Sequence, residues 1–165
     1  MESNFPATCD LCDAHKGDTD GRFRVLPPMF RDFGARLRFQ GAVSTVKCFE
    51  DNSMLKAAVE SPGNGRVLVV DGAASVRRAL LGGNLGAAAA RNGWAGLVID
   101  GAVRDVAELA ASEVGIRALA CIPLPTERRN EGQRDVAVRI QGIWVRPGDW
   151  LVADADGIVV LDERP

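Results

Sequence analysis

An α/β domain, built from parallel β-α-β units and ending in a β-rich part, is the fold class this sequence predicts. Three observations predict it. Arg66 to Asp71 and Leu97 to Asp100 are continuous apolar runs, the pattern of strands covered on both faces. Between them lies an alanine-rich stretch, Asn84 to Asn92, and after them a second helical stretch, Asp105 to Ser112. Beyond Arg117 the chain changes to short apolar runs separated by glycine-bearing turns.

The elements follow in order. A short helix is predicted around Cys9 to His15, then a polar loop, Lys16 to Arg22. Met29 to Gly34 reads as a helical turn or loop. Ala42 to Phe49 alternates and is β-branched, so it reads as a strand. Asp51-Asn52-Ser53 supplies capping candidates for a short helix, Met54 to Glu60, which Pro62-Gly63-Asn64-Gly65 ends. The strand Arg66 to Asp71, the helix Asn84 to Asn92 and the strand Leu97 to Asp100 come next. The helix Asp105 to Ser112 precedes a strand at Arg117 to Ile122 and a polar loop, Pro123 to Arg134. Val136 to Ile140, Ile143 to Val145, Trp150 to Asp154 and Ile158 to Leu161 are the terminal short strands.

Composition narrows the function classes. With 165 residues, 47% hydrophobic and 25% charged, the chain fits one soluble globular domain, residues 1–165. A formal charge of -2 gives no basic face for nucleic acid. No run is long enough to span a membrane, and the first residues do not resemble a signal peptide, so a cytoplasmic location is expected. Cys9, Cys12 and His15 lack a fourth zinc ligand and read as reduced thiols and a histidine near an N-terminal helix. Cys48 and Cys121 read as small core residues. His15 is the only histidine and there is no tyrosine. Proton transfer is therefore expected to use carboxylates or a metal-bound water.

Chemistry concentrates between Gly82 and Glu108. An apolar strand delivers Arg104 and Asp105 onto the loop past its end. Asp105 is a hard oxygen ligand of the kind Mg2+ or Mn2+ prefers, and Arg104 offers a planar fork for a carboxylate. Gly82, Gly83, Asn84 and Leu85 open a helix whose first N–H groups are free to hold an anion, and the two glycines permit close approach. Glu108, one helical turn after Asp105, reaches the same site as a base. A small oxyacid substrate suits this set. The bland alternative is a helix cap with a surface ion pair.

Three further stretches carry a family resemblance: Ser44 to Asn52, Val67 to Gly72, and Gly101 to Asp105. With Gly82 to Leu85 they make the chain from Phe33 to Leu161 resemble the RraA family, named for regulators of ribonuclease E activity. That family also includes class II pyruvate aldolases acting on 4-hydroxy-4-methyl-2-oxoglutarate. Its aldolase pattern is an acid, twenty residues, then Arg-Asp; a second form has glycine first and an acid three positions after the aspartate. Gly83, Arg104-Asp105 and Glu108 fit the second form. The resemblance implies a single layered β/β/α, swivelling-domain-like domain, with residues 1–25 as an N-terminal helix and polar loop. It implies that Asp105 holds a divalent metal largely through waters, that Arg104 and the Gly82 to Leu85 amides bind the pyruvyl end, and that Glu108 replaces the missing acid. A homotrimer with the site near a subunit boundary is implied, as is oxaloacetate decarboxylation as a side activity.

The competing class is a non-catalytic inhibitor of ribonuclease E. A methyltransferase is disfavoured because no G-x-G-x-x-G fingerprint follows a strand. Arg128, Arg129 and Arg134 alternate with Glu127, Glu131 and Asp135 and read as a solvated loop. Trp94, Trp144 and Trp150 read as core or subunit contacts.

Overall fold

A computed structural model describes residues 5–165. Its elements are α1 (Thr8–Ala14), β1 (Phe23–Val25), β2 (Arg31–Asp32), β3 (Phe39–Lys47), α2 (Ser53–Val59), β4 (Val67–Asp71), β5 (Ala79–Leu81) and α3 (Gly83–Arg91). They continue with β6 (Gly96–Val103), α4 (Val106–Ala110), β7 (Gly115–Cys121), β8 (Gln133–Arg134), β9 (Val138–Ile140), β10 (Ile143–Val145), β11 (Trp150–Ala153) and β12 (Ile158–Leu161).

Strands β3, β4, β6 and β7 lie side by side and parallel, joined by crossovers through α2, α3 and α4. The first half of β3 instead pairs antiparallel with β11, which continues to β12 and β1. One strand thus belongs to both the parallel and the antiparallel parts. β9 and β10 form a separate hairpin.

The period-2 alternation of the strands sorts their side chains into layers. Val46, Leu68, Val70, Leu97 and Ile99 face the helices, where Leu55, Val59, Leu85 and Leu109 meet them. Val43, Val67, Val69 and Val98 face the other way, onto Leu151, Val160 and the β9–β10 residues Ile140 and Val145. On the far side of the antiparallel strands, Val152, Val159 and Leu161 pack against Leu11 of α1. The Thr8 amide and hydroxyl donate to the Asp154 carboxylate at 2.8 and 2.7 Å and hold that helix in place. This is the layered α/β arrangement with a β-rich end that the sequence predicts. No helix of the described residues is long and apolar enough to cross a membrane.

Several boundaries differ from the sequence reading. β3 begins at Phe39 and β6 runs on to Val103, because pairing with β11 and with β5 and β7 extends them. β1 and the two-residue β2 lie in stretches read as irregular. Cys121, read as core, is exposed at the end of β7, whereas Cys48 is buried. Burial pushes the Cys48 thiol up to about 12, with the carboxylates of Asp71 and Asp51 adding to the shift.

The base of the parallel sheet has a tight fit. Gly96 and Gly115 are register partners at the starts of β6 and β7, and the Phe39 ring lies across both. A Cβ on Gly96 would stand 2.3 Å from the ring and one on Gly115 2.0 Å. Gly96→Ala is expected to lower stability by about 1–3 kcal/mol, read by urea denaturation, because the ring must leave its rotamer.

Candidate active site

The site forms where β5 and β6 end side by side. β5 takes the place next to β6 that β4 vacates after Asp71, with Leu81 in register with Val103. The Arg104 amide then donates to the Leu81 carbonyl at 2.9 Å, tying the two strand exits together. Gly82-Gly83 and Arg104-Asp105 therefore emerge as neighbours at the C-terminal edge of the parallel strands, where open α/β sheets gather ligands.

Asp105 has φ +57°, a left-handed conformation that aspartate tolerates better than most residues. It stands at the N-cap of α4 without capping it. Its Oδ2 instead accepts the Gly83 amide at 2.8 Å, across to the start of α3. This departs from the bland expectation of a cap with an ion pair, and among the described residues Arg104 makes no ion pair. Arg104 is half-buried, and Asp105 and Glu108 are exposed.

The glycine pair has a role the sequence reading did not give it. A Cβ on Gly82 would lie 2.9 Å from the Asp105 Oδ2 and 3.3 Å from the Arg104 Nε. On Gly83 it would lie 1.6 Å from the Glu108 Oε2. The bare backbone at 82 and 83 is thus the floor on which Arg104, Asp105 and Glu108 rest. Buried Leu109 anchors α4 in the helical core, which fixes Glu108 over Gly83. Of the four amides assigned to an anion, that of Gly83 is engaged by Asp105.

Gly82 to Leu85, Arg104 and Asp105 line a cleft of about 480 Å³. Its other wall contains Asn52, Lys56, Thr126 and Arg128, which the sequence reading did not assign. Asn52 is buried and turned away from capping α2. Its Nδ2 donates to the Leu80 carbonyl at 2.9 Å, and its Oδ1 accepts the Thr126 hydroxyl at 2.9 Å and the Arg128 Nε at 3.0 Å. Next to it, fully buried Asp51 accepts the backbone amides of Arg129 at 2.7 Å and Glu131 at 3.2 Å. Burial alone would raise the Asp51 carboxyl, but hydrogen bonds from Ser53, Arg129 and Glu131 outweigh it and hold the group at about 2. The loop read as solvated is in this way clamped at its backbone, and Arg128 borders the site. An Asp-Asn pair just past the end of a buried parallel strand was the signal available for finding this wall.

The donor set can be judged for a divalent metal. Asp105 and Glu108 both border Gly83, and no group of three or more histidine, cysteine, aspartate or glutamate side chains forms among the described residues. Two hard oxygen donors on an open face fit a cation that keeps most of its waters, as Mg2+ does. Cys9, Cys12 and His15 do not come together as a group of metal ligands among the described residues, and the His15 ring stacks on Phe23.

A family profile described as RraA-like, Aldolase/RraA, matches residues 8–160. A protein of Albidiferax ferrireducens that carries the provisional name 4-hydroxy-4-methyl-2-oxoglutarate aldolase is 71% identical, over 96% of each chain. Among solved structures, one described as the RNA-processing inhibitor RraA from Thermus thermophilis superposes with a TM-score of 0.91 at 43% identity, covering 100% of this chain and 96% of the other. A Geobacillus kaustophilus structure described as an S-adenosylmethionine:2-dimethylmenaquinone methyltransferase gives 0.88 at 38% identity, covering 96% of each.

Proposed function

Since the chain belongs to the RraA-like family, we propose that it is a divalent-metal-dependent lyase that cleaves 4-hydroxy-4-methyl-2-oxoglutarate, or a similar 4-hydroxy-2-oxo acid, to pyruvate. The observation that carries this reading is the overlap of the Glu108 carboxylate with the space a side chain at Gly83 would occupy. An acid presented from α4 stands where the other form of the aldolase pattern presents one from α3. The naming of close relatives as aldolases supports the same reading.

Each residue then has a task. Asp105 would hold Mg2+ or Mn2+, largely through waters, and the cation when bound supplies Lewis-acid stabilisation of negative charge on the 2-oxo oxygen. Arg104 and the free amides of Asn84 and Leu85 bind the pyruvyl carboxylate and oxo group. Glu108, directly or through a water, takes the proton of the 4-hydroxyl. The C4–O pair becomes a carbonyl, the C3–C4 bond breaks, and its electrons move onto the C2 oxygen of the pyruvate enolate. Arg104 balances that charge, and protonation of C3 completes pyruvate. Loss of CO2 from oxaloacetate leaves the same enolate, so decarboxylation accompanies cleavage. A homotrimer would cover the open face that bears Asp105 and Glu108.

The likeness to the Thermus inhibitor favours a second reading, regulation of ribonuclease E by binding. The experiment that separates them measures pyruvate release from both oxo acids, with Mg2+ and with a chelator, beside a ribonuclease inhibition assay. Metal-dependent release from both is expected. No release from folded, metal-supplied protein, together with inhibition of the ribonuclease, would replace the lyase reading with the regulatory one.

A further inference from the structure

Cleavage in the cleft makes no use of α1, the helix whose Leu11 covers Val152, Val159 and Leu161 on the antiparallel strands. That helix carries two thiols three residues apart. Cys9 is exposed in its first turn, and Cys12 is half-buried next to Leu11. Side chains at this spacing are neighbours on one helix face.

The first turn of α1 is held by the turn between β11 and β12. Asp154 accepts the Thr8 amide and hydroxyl, and Asp156, two residues on, accepts the Cys9 thiol. The charge of Asp156 and that hydrogen bond push the Cys9 thiol up, which keeps it protonated at neutral pH. The other end of the helix is fixed separately: the His15 ring stacks on Phe23, and its Nδ1 donates to the Leu11 carbonyl at 2.8 Å. Helix geometry sets a bond between the two thiols against this docking. Cβ atoms three residues apart on a helix stand about 5–6 Å apart, whereas a disulfide holds them at about 3.5–4.5 Å. Closing one draws the first turn in, and the anchors Thr8 and Leu11 lie beside and between the two cysteines.

We propose that Cys9 and Cys12 form a reversible redox site: a disulfide oxidant of the oxidised-glutathione class joins them, and the bond releases the first turn of α1 from the β11–β12 turn. The Cys9 thiolate, the exposed one, attacks a sulfur of the oxidant. The oxidant's S–S bond breaks, and one thiol leaves with the proton that Cys9 gave up. The Cys12 thiolate then attacks the mixed disulfide at the Cys9 sulfur and expels the second thiol. Two electrons and two protons pass from the pair to the oxidant, and exchange with a reducing dithiol reverses the step.

Protein carrying Cys121→Ser, which removes the other exposed thiol, tests this with oxidised glutathione as the oxidant. Peptide mass mapping should find the α1 peptide lighter by two hydrogens and free of adduct, and adding Cys12→Ser should stop the reaction at a glutathione adduct on Cys9. Hydrogen exchange at the Leu11 amide, which donates to the Ala7 carbonyl at 3.1 Å, should quicken about tenfold or more on oxidation and recover with dithiothreitol. Asp156→Asn should speed bond formation at neutral pH, a gain that fades as pH rises and Cys9 ionises in both proteins. Unreacted thiols at Cys9 and Cys12 beside a control dithiol that oxidises, or stable adducts at both, would overturn the site. A disulfide that leaves Leu11 exchange unchanged would overturn the release of α1.

Discussion

Glu108→Ala is expected to lower pyruvate release by about 10²–10⁴-fold, and Gly83→Asp in that background to recover a substantial part of the loss. The two positions compete for one space: a Cβ at residue 83 would lie 1.6 Å from the Glu108 Oε2 and 2.7 Å from its Cδ. In the wild-type background Gly83→Asp should therefore be harmful, because the new side chain displaces Glu108 and sets two carboxylates against each other. In the Glu108→Ala background that obstruction is gone, and the aspartate enters from α3 at the place the glutamate left. The same substitution changes sign with its neighbour, which a double-mutant cycle on kcat/KM reads directly. An additive cycle would mean that Glu108 does not replace an acid at 83.

Asp105→Asn should leave the fold intact and lower activity by about 10³-fold or more, with loss of Mn2+ binding followed by calorimetry. Asparagine tolerates the left-handed backbone at 105 and its amide oxygen can still accept the Gly83 N–H, so the strand-exit geometry survives. What is removed is the charge. Asp105→Ala removes the hydrogen bond and strains the φ of +57° as well, so it would mix two causes. Retained Mn2+ affinity in the asparagine variant would count against Asp105 as the metal's carboxylate.

How much of this was readable beforehand depends on whether the signal was local. β4 announced itself because its first four positions, on both faces of the sheet, are apolar and buried. The start of β3 did not, since Phe39 to Gly41 are strand only by pairing with β11, more than a hundred residues on. β6 was cut short at Asp100, a charged residue before a glycine. That aspartate is buried and accepts the Gln141 amide at 2.8 Å, so its cost is offset from a turn no local pattern could connect to it. β1 is three residues matched to β12 at the other end of the chain. In the site, Arg104, Asp105, Glu108 and the glycines stood out as a short motif at one strand exit. Arg128 did not. Alternating charge ordinarily means a solvated loop, and only the distant Asp51-Asn52 clamp makes one of those arginines part of the cleft.

The shared strand has a consequence for how the molecule opens. Phe39 to Ala42 are paired with β11, and Val43 to Lys47 with β4, so a single segment carries the load between the two layers. Freeing either layer breaks one of the two ladders held by this nine-residue strand. Unfolding is then expected to be all-or-none, since melting either layer strips part of β3, and hydrogen exchange should find the amides at the middle of β3 among the last to open.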